Sequence, residues 1–99
     1  MAIYVPEYSY TFGESIKSYI KDKKTKRVLD KTLHKILENP FHKIEKVQGA
    51  VGFMGAVVFR RHICGDAFRI FYSVDEKVKK IRFYCVRPKN KLTYKLNFS

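Results

Sequence analysis

The sequence predicts an α+β domain with an N-terminal strand, a two-helix hairpin and then a three-stranded antiparallel meander. Three patterns indicate this class: an alternating stretch near the N-terminus, a helical stripe of apolar residues, and three apolar runs joined by short turns. The 99 residues are 45% hydrophobic and include eight Phe and seven Tyr, which is typical of a folded globular chain. We therefore expect a single domain over residues 1–99.

The N-terminal part of the chain predicts one strand followed by a short helix. Residues 8–12 read Tyr-Ser-Tyr-Thr-Phe, an alternation of period two that favours a strand, and Pro6 restricts any extension of that strand to a sheet edge. From Gly13 onward, Ile16 and Ile20 recur on one face of a helix. We expect the first helix to begin at this glycine.

A second, longer helix is predicted after the polar stretch 22–25. Its apolar stripe runs for about four turns, and Asn39-Pro40 ends it because the residue before a proline resists helical geometry. The outer face of the helical hairpin is rich in lysine, a pattern that usually marks only a solvated surface. The stripe consists of Val28, Leu29, Thr32, Leu33, Ile36 and Leu37.

The C-terminal half predicts three strands, over residues 56–64, 68–74 and 78–86. Gly65-Asp66 and residues 75–77 supply the turns between them. Short connections favour an antiparallel meander, with one face under the helices and the other face open. Residues 41–55 contain three glycines and no sustained period, so we expect a connecting loop without chemistry.

The charge balance indicates an anionic partner. There are 21 Lys and Arg against 9 Asp and Glu, a formal net charge of +12, and such a field attracts nucleic acid or an acidic protein. No apolar run is long enough to span a membrane, and the first residues lack the order of a signal peptide, so we expect a cytoplasmic protein. Cys64 and Cys85 are too few for a metal or disulfide framework, and we expect reduced cysteines, no metal and no cofactor.

Side-chain alternation predicts a cationic cluster on the open face of the sheet. Arg60 and His62 share one face of their strand, and Arg69 is the polar residue of the next strand. Arg61 falls on the opposite face, where it lies either at a bulge or extends from under the helices. Arg60, His62 and Arg69 are called the cationic cluster below.

Basic and aromatic residues continue toward the C-terminus. Cations that hold phosphates beside tyrosines that stack on bases are expected of proteins that bind single-stranded nucleic acid. Tyr72 and Tyr94 are the tyrosines in question. The candidate RNA-binding residues are Arg60, Arg61, Arg87, Lys91 and Tyr72.

The cationic cluster suits cleavage of RNA without a metal. RNA carries its own nucleophile, the 2′-hydroxyl, so a protein needs only to remove that proton, stabilise the charge on phosphorus and protonate the leaving 5′-oxygen. Histidine suits proton transfer near neutral pH, and arginine suits binding of two phosphate oxygens. The sequence has no Asp/Glu cluster for a magnesium nuclease and no Ser-His-Asp or Cys-His spacing.

Several segments resemble the RelE superfamily of type II toxin-antitoxin toxins. A basic strand is followed by a Gly-Asp turn, an aromatic-Arg pair and a strand-ending tyrosine, and the basic tail ends in tyrosine; the resemblance covers nearly the whole chain. The phrase Leu37-Glu38-Asn39-Pro40 and the later Gly49 also fit the pattern. The matching segments are Arg60-Arg61-His62, Gly65-Asp66-Ala67-Phe68-Arg69-Ile70-Phe71-Tyr72 and Arg87-Pro88-Lys89-Asn90-Lys91-Leu92-Thr93-Tyr94.

The resemblance implies a RelE-like toxin fold and a ribosome-dependent mRNA endonuclease neutralised by an antitoxin. By position, Arg69 would bind the scissile phosphate and His62 would act as general base. Lys89 or Arg87 would assist the leaving group, and Tyr94 would stack or share proton transfer. The implied partners are mRNA, the ribosome and a cognate acidic or amphipathic antitoxin, in a heteromeric complex.

Two other functions are compatible with the same residues. A toxin of the ParE type shares the fold but poisons DNA gyrase without cutting RNA. A non-catalytic RNA- or ribosome-binding module would use the cations only to contact phosphate, and counterion release alone would then explain its affinity.

Overall fold

The computed structural model of the protein describes residues 3–65 and 67–89. Within these residues the chain forms a 5-stranded sheet with the strand order β1-β5-β4-β3-β2. Strands β2 to β5 are antiparallel neighbours, and β1 pairs with β5 in parallel. The elements are β1 (Val5–Tyr8), α1 (Tyr10–Tyr19), α2 (Lys23–Glu38), β2 (Ile44–Val51), a 3-10 turn (Phe53–Gly55), β3 (Val57–Ile63), β4 (Phe68–Asp75) and β5 (Lys80–Pro88).

Helix α2 confirms the predicted apolar stripe. Asp22 caps its N-terminus by accepting a hydrogen bond from the Thr25 backbone N–H at 3.0 Å. The stripe packs on one face of the sheet, here called the helix face, where Ile70, Ile81 and Phe83 are fully buried. The opposite side of the sheet is called the open face. No helix in the described part of the chain is long and apolar enough to cross a membrane.

The predicted first strand over residues 8–12 is wrong in its position. Strand β1 lies earlier, with Pro6 in a sheet edge, and α1 already begins at Tyr10. Ser9 starts the helix because its Oγ accepts a hydrogen bond from the Phe12 backbone N–H at 3.1 Å. Phe12 is then buried against Phe83, so the aromatic residues that alternate in sequence serve two different elements.

Helix α1 continues the sheet edge where β1 ends. The Ser9 hydroxyl donates to the Tyr84 carbonyl at 2.9 Å, and the Val86 backbone N–H donates to Ser15 Oγ at 2.9 Å. Beyond the residues of β5 that pair with β1, the hydroxyls of Ser9 and Ser15 thus hydrogen-bond to the β5 backbone in place of a neighbouring strand. The end of β5, which carries Arg87, is therefore fixed in position by α1.

The predicted loop over residues 41–55 is also wrong, because most of it forms the edge strand β2 and the 3-10 turn. Ile44 and Glu45 pair with Arg61 and Arg60 on β3, and the register shifts between Lys46 and Val51. An edge strand buries little, and the shift interrupts its alternation, so no period of two is visible in the sequence. The consequence for the site is that Glu45 lies directly beside Arg60.

Candidate nucleic-acid interface

Strands β3 and β4 bring the cationic cluster together on the open face. His62 and Arg69 are direct cross-strand partners, and Arg60 lies two residues before His62 on the same side of β3. Beneath them, Val58 and Phe71 belong to a small apolar cluster on this face. Paired strands over packed apolar residues give the three polar side chains a rigid platform.

A carboxylate joins the cluster into one chain of contacts. Glu45 Oε1 lies 2.8 Å from His62 Nε2 and 3.3 Å from Arg60 Nε, and Arg69 Nε donates to His62 Nε2 at 3.1 Å. The side chains of Arg60, His62 and Glu45 are 31%, 38% and 53% exposed, so solvent and ligands reach them. Contacts therefore run from Arg60 through Glu45 and His62 to Arg69.

The two contacts of His62 Nε2 require different protonation states. This nitrogen accepts from Arg69 only when it carries a lone pair, and it donates to Glu45 only when it carries a proton. The imidazole therefore has two alternative partners, the arginine when Nε2 is bare and the carboxylate when Nε2 is protonated.

Glu45 is a member of the site that the sequence did not predict. Hydrogen bonds from His62 and then from Arg60 lower the pKa of the Glu45 carboxyl, so it remains ionised at neutral pH. The signal that would have found it is a lone acid opposite a basic strand, which is visible only once β2 is recognised as the partner of β3.

Arg87 extends the cluster onto β5. It is the cross-strand partner of Arg69, and its guanidinium donates to the Tyr19 hydroxyl of α1 at 3.0 Å and lies 5.7 Å from the centre of that ring. Lys89 is exposed, and its backbone N–H donates to the Ala67 carbonyl at 3.1 Å, just past the end of β5. His62, Arg69 and Arg87 thus form a row of basic groups across three strands.

Comparisons with known proteins identify the fold but no close relative. No family model matches the sequence, and no curated protein matches it significantly. The similar solved structures include the archaeal RelE-RelB complex from Pyrococcus horikoshii, the RelBE2 toxin-antitoxin complex from Mycobacterium tuberculosis, and a mutant of E. coli toxin RelE in the free state. This chain has the fold of RelE toxins.

The similarity covers almost the whole of each chain. For the archaeal complex the TM-score is 0.68 at 17% identity, with 90% of this chain and 98% of that chain covered. For RelBE2 it is 0.66 at 12% identity, with 86% and 96% covered, and for E. coli RelE 0.62 at 18% identity, with 94% and 90% covered. The predicted α+β, RelE-like fold is confirmed.

Two of the residues predicted to bind RNA, Tyr72 and Arg61, are buried on the helix face. Tyr72 is fully buried, and its hydroxyl donates to the Pro40 carbonyl at 2.7 Å, so its ring offers no surface to a base. Burial also raises the pKa of the Tyr72 hydroxyl, an effect that the nearby Arg61 opposes. Arg61 is only 8% exposed and pairs in regular register with Ile44 and Ile70, so it extends under the helices and not from a bulge.

The turn before β3 packs against the other half of the open face. The Tyr84 hydroxyl accepts a hydrogen bond from the Phe53 backbone N–H at 2.9 Å and contacts Ser73 Oγ at 2.7 Å. A Cβ atom on Gly52 would collide with that hydroxyl, so only glycine fits there. On the same half, Arg82 stacks on Phe53 beside an open cavity of about 550 Å³.

The remaining predicted groups fall into two sets. Tyr94 and Lys91 lie outside the described residues. Both cysteines are free, with Cys64 half-buried against the helix-face core and Cys85 buried on the open face, as small side chains were expected to be. No group of three His, Cys, Asp or Glu side chains that would suit a metal occurs in the part of the chain that the structure describes.

Proposed function

We propose that this chain is the toxin of a type II toxin-antitoxin system and a metal-independent endoribonuclease that cleaves mRNA on the ribosome, in the cytoplasm. The observation that carries the proposal is the position of His62 Nε2, within hydrogen-bond distance of Arg69 and of Glu45 on the accessible face of a RelE fold. A base, a cation for phosphate and a carboxylate that can stabilise the protonated base thus meet at one point.

His62 is the group best suited to take the proton of the 2′-hydroxyl. An imidazole exchanges protons near neutral pH, whereas the lowered pKa of the Glu45 carboxyl makes that group a weak base. Glu45 instead stabilises the imidazolium that forms, by accepting a hydrogen bond from its Nε2–H. The 2′-oxygen then attacks phosphorus, and the new bond gives a 2′,3′-cyclic phosphate as the bond to the 5′-oxygen breaks.

Arg69 and Arg60 supply the positive charge that stabilises the five-coordinate phosphorus formed when the 2′-oxygen attacks. Both are always charged, and an arginine fork matches two phosphate oxygens. Arg87 adds a third cation beside Arg69, with its guanidinium already held by Tyr19. Of the two tail candidates, this position favours Arg87 over Lys89 for neutralising charge near the leaving group.

Proton uptake by His62 and charge stabilisation by Arg69 are coupled, because His62 Nε2 both takes the proton and accepts the hydrogen bond from Arg69. Before substrate binds, the bare Nε2 of His62 accepts from Arg69; the 2′-hydroxyl displaces Arg69 from this single lone pair, and once Nε2 has taken the proton it donates to Glu45. Arg69 Nε–H, displaced from His62, then donates to the phosphate on which negative charge develops. Protonation of the leaving 5′-oxygen is assigned to the tail, where Tyr94 remains the predicted group.

The proposed antitoxin is an acidic or amphipathic chain that covers the basic surface formed by the cationic cluster and Arg87. Two of the similar structures are complexes of a RelE-type toxin with its antitoxin. The formal net charge of +12 supports the same kind of partner, since acidic side chains would offset the self-repulsion of the free toxin.

Cleavage of ribosome-bound mRNA by the wild type and by Arg69→Ala tests the proposal, with primer extension locating the cuts. Removal of one group that stabilises transition-state charge is expected to slow cleavage by about 10²–10³-fold. Lys77→Ala, which removes an exposed cation on the β4–β5 turn, is the matched control and should cut like the wild type.

Three outcomes would contradict the proposal. Undiminished cutting by Arg69→Ala would show that the cationic cluster is not the site. Ribosome binding without any cuts by the wild type would indicate a non-catalytic binder, and inhibition of gyrase without cuts would indicate a toxin of the ParE type.

A further inference from the structure

The outer surface of α2 carries a second concentration of positive charge. Its exposed positions hold no apolar residue and only two acids, Asp30 and Glu38. Among the described residues, none of its six cations takes part in an ion pair. These cations are Lys23, Lys24, Lys26, Arg27, Lys31 and Lys35.

Four of the six form a regular row. Lys23, Arg27, Lys31 and Lys35 are spaced four residues apart, so each step rises about 6 Å along the helix axis and the row is about 18 Å long. Seen along the helix axis, the four positions span about a third of the helix circumference. They are called the α2 row below.

The α2 row is unfavourable for the free protein in two independent ways. Like charges four residues apart on a helix repel one another and destabilise it. Lys23 also lies in the first turn, which has no acidic residue, against the positive end of the helix dipole. On the open face, in contrast, Arg60 and Arg82 each have a carboxylate partner, in Glu45 and Glu7.

We propose that the α2 row binds the phosphate backbone of double-helical RNA. Phosphates would neutralise the repulsion, and duplex RNA is recognised through its backbone and shape, which requires no apolar contact. A protein partner would need an apolar interface centre, and single-stranded RNA would need aromatic platforms; the exposed surface of α2 has neither.

The α2 row and the cationic cluster face away from each other. Helix α2 packs on the helix face, and the cluster lies on the open face. One molecule therefore has the geometry to hold folded RNA on one side and a strand to be cut on the other. The inference rests on the proposed function only in taking RNA as the ligand, and its test requires no cleavage.

The test measures binding of a fluorescent RNA duplex of about 16 base pairs across a range of salt concentrations. The variant K23Q/R27Q/K31Q/K35Q should lose most of the salt dependence, with the slope of log affinity against log salt shallower by about 3 to 4. The control K17Q/K46Q/K77Q/K79Q removes the same charge from exposed positions outside α2 and should change the slope by about 1 or less.

Each outcome decides the inference. Equal losses in the two variants would overturn it in favour of non-specific attraction, and unchanged duplex binding with lost binding of poly-glutamate would overturn it in favour of an acidic protein partner. Thermal unfolding at low salt should show that the α2 variant is folded and slightly stabilised. Arg69→Ala should keep the duplex slope within about 1 of the wild type, so failure of the cleavage proposal would not be mistaken for failure of this one.

Discussion

Arg60 and Arg61 are neighbours in sequence, yet they have opposite environments in the sheet. Arg60 lies on the open face, partly exposed, with Glu45 as its ion-pair partner. Arg61 lies on the helix face, 8% exposed, and its Nη1 has no hydrogen-bond partner among the described residues. The strand pleat alone separates them, so the charge of a residue in this fold says nothing about its role until its face is known.

The same contrast holds on β4, where Arg69 faces the open side and Tyr72 the helix side. On the helix face a polar group must find a protein partner, and the Tyr72 hydroxyl finds the Pro40 carbonyl. On the open face, Arg69 and its neighbours share contacts that a ligand can replace. Burial is therefore rigid on the helix face, whereas contacts on the open face are exchangeable.

The largest expected difference is between Arg60→Met and Arg61→Met. The first variant loses the charge-assisted phosphate contact proposed for Arg60, so its affinity for single-stranded RNA should fall about tenfold or more. The second should bind RNA like the wild type and unfold at the same or a higher temperature, because methionine fills the space of a buried, incompletely bonded guanidinium. Fluorescence anisotropy and thermal unfolding measure the two effects. Equal loss of RNA affinity in both variants would mean that the two faces are not distinct in function.

Tyr72→Phe should affect stability and not RNA. The change removes the hydroxyl that donates to the buried Pro40 carbonyl, so the free energy of unfolding should fall by about 1–2 kcal/mol. Tyr10→Phe is the control, because Tyr10 is 83% exposed and its loss should cost under about 0.5 kcal/mol. Urea denaturation measures both, and a Tyr72→Phe variant of normal stability but impaired RNA binding would contradict the assignment.

Glu45→Gln should have the smallest effect on stability, a loss that is present at neutral pH and disappears in acid. The folded state lowers the pKa of the Glu45 carboxyl below its ordinary value of 4.5, so the stability it contributes is present above that pH and is lost as the pH falls through the lowered pKa. Thermal unfolding from pH 7 to pH 3 should therefore decline less steeply below about pH 4.5 in the variant. Glu38→Gln, at an exposed carboxylate of α2, should follow the wild-type curve. Parallel curves for Glu45→Gln and the wild type would show that Glu45 has no stabilising contact.

The fold was predictable where hydrophobic periodicity is strong. Helix α2 and the strands β3, β4 and β5 lie close to their predicted positions, because each buries a regular set of side chains. Strand β2 was missed because an edge strand with a register shift has no such regularity. The start of α1 was missed because capping by Ser9 overrides the alternation of the aromatic residues around it.

The candidate site was predictable to the extent that it depends on alternation within a strand. That rule grouped Arg60, His62 and Arg69 correctly on one face. It did not find Glu45, which is placed by pairing between strands far apart in sequence. Tyr72 was predicted to stack on bases because composition does not distinguish a core tyrosine from an exposed one.

The parallel pairing of β1 with β5 also determines when the sheet can form in full as the chain is synthesised. Residues 75 positions apart meet there, as in the contact between Ser9 and Tyr84, so the edge of the sheet closes only after nearly all of the described chain has been made. Arg87 receives its support from Tyr19 at that same late stage. A nascent chain that stops before β5 therefore has His62 and Arg69 but not the assembled row, which forms only once β5 has been made.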